Sequence, residues 1–169
     1  MARQSAGLLL YRIGDSGPEV FLVHPGGPFY RNKDDGVWSV PKGEHEPQDD
    51  PVAVALREFE EEVGVAPPVR RAELHALGSV QQRGGKVVTV WTGAGDVDPA
   101  TVESNTFRLE WPPKSGRIQE FPEVDRAGWF TLPAAKQKLL PAQVEFVDRL
   151  RALLGAGVEE DSTPPSRSA

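Results

Sequence analysis

Residues 43–65 read GEHEPQDDPVAVALREFEEEVGV, and this stretch indicates a helix with defined ends. Asp50 followed by Pro51 is typical of a helix start, because aspartate caps free amide groups and proline suits the first helical position. Gly64 is a natural C-terminal stop. The apolar residues between these ends recur at spacings of three and four, which predicts one buried helical face. They are Val52, Ala55, Leu56, Phe59 and Val63.

Three glutamates share another face of the same predicted helix. At about 100° per residue, Glu58, Glu61 and Glu62 fall within about 100° of one another and some 130° from the apolar stripe. Like charges at these spacings repel, and no lysine or arginine follows Glu58 at the third or fourth position. The common explanation of such a face is that it is exposed and solvated. Hard oxygen ligands one turn apart also fit a Mg²⁺-like ion, with carbonyl groups of the Gly43 loop completing its shell.

The rest of the chain predicts strands on both sides of this helix and one closing helix. Runs at residues 6–12, 19–24, 74–80, 86–92, 107–111 and 127–132 indicate strands, because they are apolar or alternating and bounded by turn residues. Residues 141–154 have helical periodicity, and residues 155–169 have a composition typical of disorder. We therefore expect one domain over residues 1–154, an α/β fold with helices packed on a mixed sheet, and a disordered tail.

Composition limits the class of protein further. The 169 residues are about one domain's worth, and the absence of cysteine excludes disulfides, thiolate metal sites and cysteine nucleophiles. No apolar run reaches the ~18–20 residues of a membrane span and no targeting segment is evident, so we expect a cytoplasmic protein without a membrane partner. The net charge of −6 argues against binding along a nucleic-acid duplex, although one local basic pocket would suffice for a nucleotide. The oligomeric state stays open.

The segment resembles the Nudix box. That pattern is Gly, five residues, Glu, seven residues, then Arg-Glu-U-x-Glu-Glu-x-Gly-U, where U is an apolar residue. Here it reads Gly43, Asp49 in the place of the glutamate, and then residues 57–65, REFEEEVGV. The resemblance implies a Nudix-like α/β/α sandwich with a mixed sheet flanked by helices. It also implies hydrolysis of a nucleoside diphosphate linked to another group, with Mg²⁺ or Mn²⁺ as cofactor.

The resemblance also implies roles for individual residues. Glu58 and Glu62 would be the principal metal ligands, joined by Gly43, and Glu61 would be a further ligand or would orient the attacking water. Arg57 would pair with the acid at position 49 and brace the loop. Nudix enzymes often take an additional glutamate, as base or ligand, from a loop before a late strand. Of the two candidates, Glu120 and Glu123, the second is preferred for its spacing to the last strand.

Candidate substrate contacts come from loops. Lys42 resembles the Pro-Lys-Gly approach of Nudix enzymes that act on highly phosphorylated substrates, and a lysine there is well placed for a phosphate chain. Lys33, Arg83 and Lys86 are further loop cations, although such residues often serve only solubility. Trp38 is a candidate for base stacking, as are Phe29, Tyr30 and Trp111. Residues 104–117 are a candidate hairpin that grips the substrate.

The predicted function is a metal-dependent pyrophosphohydrolase that acts on a small-molecule nucleotide, a nucleoside or dinucleoside polyphosphate. Two alternatives lie in the same class, namely a pyrophosphatase for oxidised nucleoside triphosphates and one for ADP-ribose. A third alternative is a catalytically silent Nudix domain that binds nucleotides. Such domains usually lack the metal-binding glutamates, and Glu58, Glu61 and Glu62 are present here.

Overall fold

A mixed six-stranded sheet forms the centre of the computed structural model, which describes residues 3–162. Strands follow one another in the order β4-β5-β1-β2-β8, with β3 paired to the free part of the β1 edge. Strands β1 and β5 are parallel, and the other neighbours are antiparallel. The strands of this sheet are β1 (Gln4–Gly14), β2 (Gly17–Pro25), β3 (Lys42–His45), β4 (His75–Gln81), β5 (Val87–Ala94) and β8 (Val124–Thr131).

Helices cover both faces of the sheet. On one face, α1 (Pro51–Val63) packs Phe59 and Val63 against Leu8, Leu10 and Phe21. On the other face, α2 (Leu132–Lys138) and α3 (Val144–Ser162) complete a second cluster, which includes Leu9, Leu22, Phe146 and Leu150. The alternation of Leu8, Leu9 and Leu10 between the two clusters follows from the two-residue period of a strand. The expected mixed sheet flanked by helices is confirmed.

The ends of α1 are as the sequence predicts. Asp50 has extended backbone geometry and its side chain accepts a hydrogen bond from Val52 N, and Pro51 opens the helix. At the other end Gly64 adopts a left-handed conformation with φ 90°, and its amide donates to Glu60 O at 2.8 Å. A Cβ at position 64 would lie 2.4 Å from Glu103 O, so both the conformation and the space require glycine.

Several elements differ from the sequence prediction. Strand β3, helix α2 and strand β7 (Ile118–Pro122) are additional, and β7 pairs with β6 (Thr106–Glu110) in a separate two-stranded sheet. The closing helix α3 continues past Leu154 to Ser162, so the first part of the segment expected to be disordered is helical. Residues 163–169, the rest of that expected tail, lie outside the described residues. Among helices in the described part of the chain, none is long and apolar enough to cross a membrane.

Replacement of Gly64 tests the geometry at the end of α1. We expect Gly64→Ala to reduce the free energy of unfolding by about 3 kcal/mol or more, because left-handed strain of about 1–2 kcal/mol adds to the clash with Glu103 O. Gly84→Ala is a matched control, since Gly84 has φ 88° but open space around it. Urea denaturation measures both variants, and equal losses of stability would contradict the close approach at position 64.

Candidate active site

Gly43 is in direct contact with the carboxylate of Glu58. Gly43 lies on β3, where it pairs with Ala6 of β1, and α1 packs over the same strands. A Cβ on Gly43 would lie 2.0 Å from the carboxyl carbon of Glu58. Any larger residue at position 43 would therefore push the Glu58 carboxylate away from β3. This contact gives a physical reason for glycine at the start of the motif.

Glu62 is the most enclosed acid of the site. Its Oε1 accepts a long hydrogen bond of 3.4 Å from Lys42 N. Burial raises the pKa of Glu62 to about 8, although the charge of Lys42 opposes the shift, and the charges of Glu58 and Glu123 add to it. Burial likewise lowers the pKa of the Lys42 ammonium, and the nearby charge of Lys86 acts in the same direction. The site therefore keeps an acid and a base close together in a poorly solvated space.

The other two helix carboxylates are partly covered. The side chain of Glu58 is 16% exposed and that of Glu61 is 41% exposed, so the face expected to be exposed is partly covered, with Glu58 against Gly43 of β3. Burial raises the pKa of Glu58, and the neighbouring charge of Glu61 raises it further. This mutual repulsion is the effect that the helical spacing predicts.

Glu123 and Glu62 line the same small cavity. The cavity has a volume of about 130 Å³, and Glu123, Glu62, Lys42 and Ser39 are among the residues that line it. Burial raises the pKa of Glu123, and the charge of Glu61 contributes to the increase. Glu120 lies on β7 opposite Arg108, is exposed, and does not line this cavity. The structure thus brings together Lys42, Glu62 and Glu123 from three separate parts of the sequence.

Ser104 and Asn105, the first residues of the segment predicted to grip the substrate, hold Glu123 in place. Glu123 N donates to Asn105 O at 2.8 Å, and Asn105 N donates to Glu61 O of α1 at 3.0 Å. Ser104 Oγ accepts a hydrogen bond from Val124 N at 3.0 Å. The sequence does not predict this anchoring role, because the contacts join groups that are far apart in sequence.

Arg57 does not form the predicted brace. Its guanidinium lies 3.6 Å from Glu58 Oε1 and 4.0 Å from Glu61 Oε1, and no ion pair joins it to Asp49 among the described side chains. Asp49 instead accepts a hydrogen bond from Glu46 N at 2.9 Å within its own loop. The shorter side chain of aspartate suits this local turn, whereas Arg57 already has carboxylates on its own helix.

The predicted substrate contacts are scattered. Lys86 lies 3.4 Å from Glu44 on the neighbouring β3, close enough to influence Lys42. Arg83 lines a different cavity, of about 490 Å³, beside Gly36 and Leu140. Lys33 is exposed, with its ammonium 5.5 Å from the centre of the Tyr30 ring.

The prediction that Trp38 offers a face for base stacking is wrong. The side chain is 4% exposed and belongs to the core cluster below the sheet. Its ring packs against Phe130 at 4.9 Å and His24 at 5.2 Å, and its indole NH donates to Asp34 at 2.8 Å. A ring with these contacts is not accessible to a nucleobase.

The donor set around the cavity fits a hard divalent ion. Within the described side chains, no three Asp, Glu or His groups already stand at ligand distances from a single point. However, Glu58, Glu61 and Glu62 on one side and Glu123 on the other supply only carboxylate oxygens, the ligands that Mg²⁺ and Mn²⁺ prefer. Burial and the charges of neighbouring acids raise the pKa values of Glu58, Glu62 and Glu123, and a bound divalent ion would favour their charged forms.

Fold and site together define a Nudix-type domain, and comparison with known families agrees. A family model described as the NUDIX domain matches residues 1–150, so the chain belongs to this family. Its class is accordingly that of the Nudix hydrolases, which act on phosphoric anhydrides. No curated protein matches the chain significantly.

Solved structures share the fold at low identity. A binary complex of the Ap4A hydrolase of C. elegans is 20% identical, with a TM-score of 0.61 and coverage of 90% of this chain and 98% of that one. The NUDIX domain of NrtR from Shewanella oneidensis, complexed with ADP ribose, is 17% identical, with a TM-score of 0.61 and coverage of 91% and 89%. The Nudix hydrolase RenU of M. smegmatis is 21% identical, with a TM-score of 0.53 and coverage of 90% and 86%.

The raised pKa of Glu62 predicts a pH-dependent stability. A carboxyl with a higher pKa in the folded than in the unfolded protein stabilises the fold at low pH, and this stabilisation is lost as the pH rises from about 4.5 to about 8. We therefore expect Glu62→Gln, measured with EDTA present, to gain stability over the parent across this window, by about 1–3 kcal/mol at pH 8.5. Urea denaturation at several pH values measures the difference, and a difference independent of pH would contradict the assignment.

Proposed function

We propose that this chain is a metal-dependent pyrophosphohydrolase that cleaves a phosphoanhydride bond of a nucleoside or dinucleoside polyphosphate. The observation that carries the proposal is the juxtaposition of Glu62 of α1 with Glu123 and Lys42 around one cavity. Hydrolysis of a phosphoanhydride asks a protein mainly for positioning and for neutralisation of charge. The carboxylates would hold the cation that this chemistry needs, and Lys42 adds a positive charge of the chain itself.

We assign binding of the metal ion to the glutamates of the site. Glu58 and Glu62 would hold Mg²⁺ or Mn²⁺, with Glu61, Glu123 and the Gly43 carbonyl as further oxygen donors. When bound, the ion supplies neutralisation of phosphate charge and acidification of a water molecule. Gly43 keeps the Glu58 carboxylate close to β3 because it has no side chain to displace it.

Glu123 is proposed as the general base. Burial and the charge of Glu61 raise its pKa, which makes it a better proton acceptor than an ordinary glutamate. The hydrogen bonds through Asn105 hold its backbone against α1, so the carboxylate has a fixed anchor beside the cavity. The Lys42 ammonium would attract the phosphate chain of the substrate into the same space.

Incubation of the purified protein with a nucleotide panel and Mg²⁺ or Mn²⁺ tests the activity. Chromatography should show a dinucleoside polyphosphate converted to AMP and a nucleotide that carries the remaining phosphates. Exclusive conversion of triphosphates to monophosphate and pyrophosphate would exclude the dinucleoside polyphosphates, and exclusive cleavage of ADP-ribose would overturn the whole substrate class. The absence of products from every substrate would favour a binding module.

A variant assay tests the role of the enclosed acid. We expect Glu62→Gln to lose at least about tenfold in kcat at saturating Mg²⁺, because a charged metal ligand is removed without a change of shape. Glu60→Gln is the control, since Glu60 is an exposed residue on the same helix. More than a tenth of the parental rate in Glu62→Gln, at the same Mg²⁺ concentration, would remove Glu62 from the catalytic machinery.

A matched pair of variants separates the two late acids. We expect Glu123→Gln to reduce kcat by about 10²–10⁴-fold, the usual contribution of a general base, and Glu120→Gln to change it less than about threefold. The reason is that Glu123 lines the cavity whereas Glu120 projects from the separate hairpin. Steady-state kinetics over a pH series gives both values. Equal effects, or a larger effect for Glu120→Gln, would reverse the assignment.

A further inference from the structure

The hairpin of β6 and β7 is docked tightly on the loop that follows β2. A Cβ on Gly26 would lie 2.0 Å from Pro122 O, and one on Gly27 would lie 2.9 Å from the Phe107 ring. The rings of Phe107 and Phe121 lie side by side on the hairpin, with centroids 6.0 Å apart. A two-stranded hairpin is marginally stable alone, and these contacts hold hairpin and loop as one unit.

Aromatic rings remain accessible where this loop meets the hairpin. Phe29 is 57% exposed, although its ring contacts Trp111 at 5.2 Å between centroids, with an angle of 77° between the ring planes. Tyr30, the next residue, is 39% exposed. We refer to Phe29, Tyr30 and Trp111 as the aromatic platform. An edge contact between two rings leaves ring faces free for a planar ligand.

The loop that carries Phe29 and Tyr30 begins at the cavity of the proposed active site. Pro25 lines that cavity, and Gly26 N donates to Glu123 O at 2.9 Å. Phe29 is four residues after Pro25 in the sequence, so at most about 14 Å of extended chain separates their Cα atoms. A ribose with one or two phosphates spans a gap of this order. A base on the platform and phosphates in the cavity can therefore belong to one molecule.

The charge of the loop suits such a ligand. Arg31 and Lys33 have no carboxylate within 4.0 Å among the described residues, whereas the next acids, Asp34 and Asp35, are paired with Lys138. The Lys33 ammonium lies 5.5 Å from the Tyr30 ring centre. Free cations beside accessible rings are the combination that recognises a phosphorylated aromatic heterocycle.

We propose that the aromatic platform binds the nucleobase of a substrate whose phosphates lie in the cavity between Glu62 and Glu123. The inference rests on the proposed function for the position of the phosphates. Phe29 supplies the main stacking surface, Trp111 packs against the Phe29 ring, and Lys33 places a positive charge beside Tyr30. A second copy of this chain could also cover exposed rings, and the experiment distinguishes this occupant.

Equilibrium binding of AMP and of ribose 5-phosphate, measured by calorimetry on the full chain with Mg²⁺ present, tests the platform. We expect Phe29→Ala to weaken AMP binding by about 5- to 150-fold, which corresponds to the 1–3 kcal/mol of one base stack, and to leave ribose 5-phosphate binding unchanged. Phe29→Trp should restore AMP binding. Ile13→Ala is the control, because Ile13 is an equally exposed apolar residue, 69% accessible, at the turn between β1 and β2.

Three results would overturn the base site. The first is equal binding of AMP and ribose 5-phosphate to the parent protein, the second is unchanged AMP binding in Phe29→Ala, and the third is no AMP binding at millimolar concentration. Sedimentation that changes from dimer to monomer in Phe29→Ala, with AMP binding unchanged, would assign the platform to a contact between copies. AMP binding that depends on Phe29, together with no turnover on the nucleotide panel, would retain the base site and reject the proposed hydrolase.

Discussion

The enclosure of the Glu62 carboxylate between α1 and β3 is the constraint around which this domain is built. Repulsion between exposed glutamates on a helix costs only a few tenths of a kcal/mol per pair, but burial of a carboxylate near other acids costs more. Burial of the opposite face of α1 offsets this cost. Phe59 and Val63 are fully buried, and each stabilises the fold by about 1.5–3 kcal/mol. Core packing therefore sets the position of α1, and the carboxylates are held where the packing places them.

The end of α1 connects the two walls of the site. The last carbonyl groups of a helix have no partner within it. Here Val63 O accepts a hydrogen bond from Glu103 N, and Glu61 O accepts one from Asn105 N, each at 3.0 Å. Asn105 in turn accepts a hydrogen bond from Glu123 N at 2.8 Å. The helix that carries three of the acids thus positions the backbone of the fourth, so the spacing across the cavity does not depend on a flexible loop.

Features that depend on neighbouring residues in the sequence were predictable, whereas features that depend on distant elements were not. The ends of α1 were predictable because Asp50, Pro51 and Gly64 act on their immediate neighbours. Strand β3 was not, because Lys42–His45 is polar and pairs only where β1 presents a free edge. A helical projection also predicts which acids share a face but not what covers them, so the enclosure of Glu62 required the structure. Trp38 illustrates the same limit, since burial of an aromatic residue depends on elements distant in sequence.

The net charge of −6 is compatible with a site for a polyanionic substrate, because the charges are unevenly distributed over the structure. Glu58, Glu61, Glu62 and Glu123 supply four negative charges when all are ionised, and two divalent ions would cancel them and make the site a receptor for phosphate. Lys42 is on the same side, whereas Arg31 and Lys33 lie on the loop of the aromatic platform. Positive charge is thus available at both ends of the proposed substrate path, so attraction of the phosphates requires no overall basic charge. The proposed orientation follows from the same distribution, because Glu62 and Glu123 line the cavity whereas the exposed rings of Phe29 and Tyr30 lie on the loop.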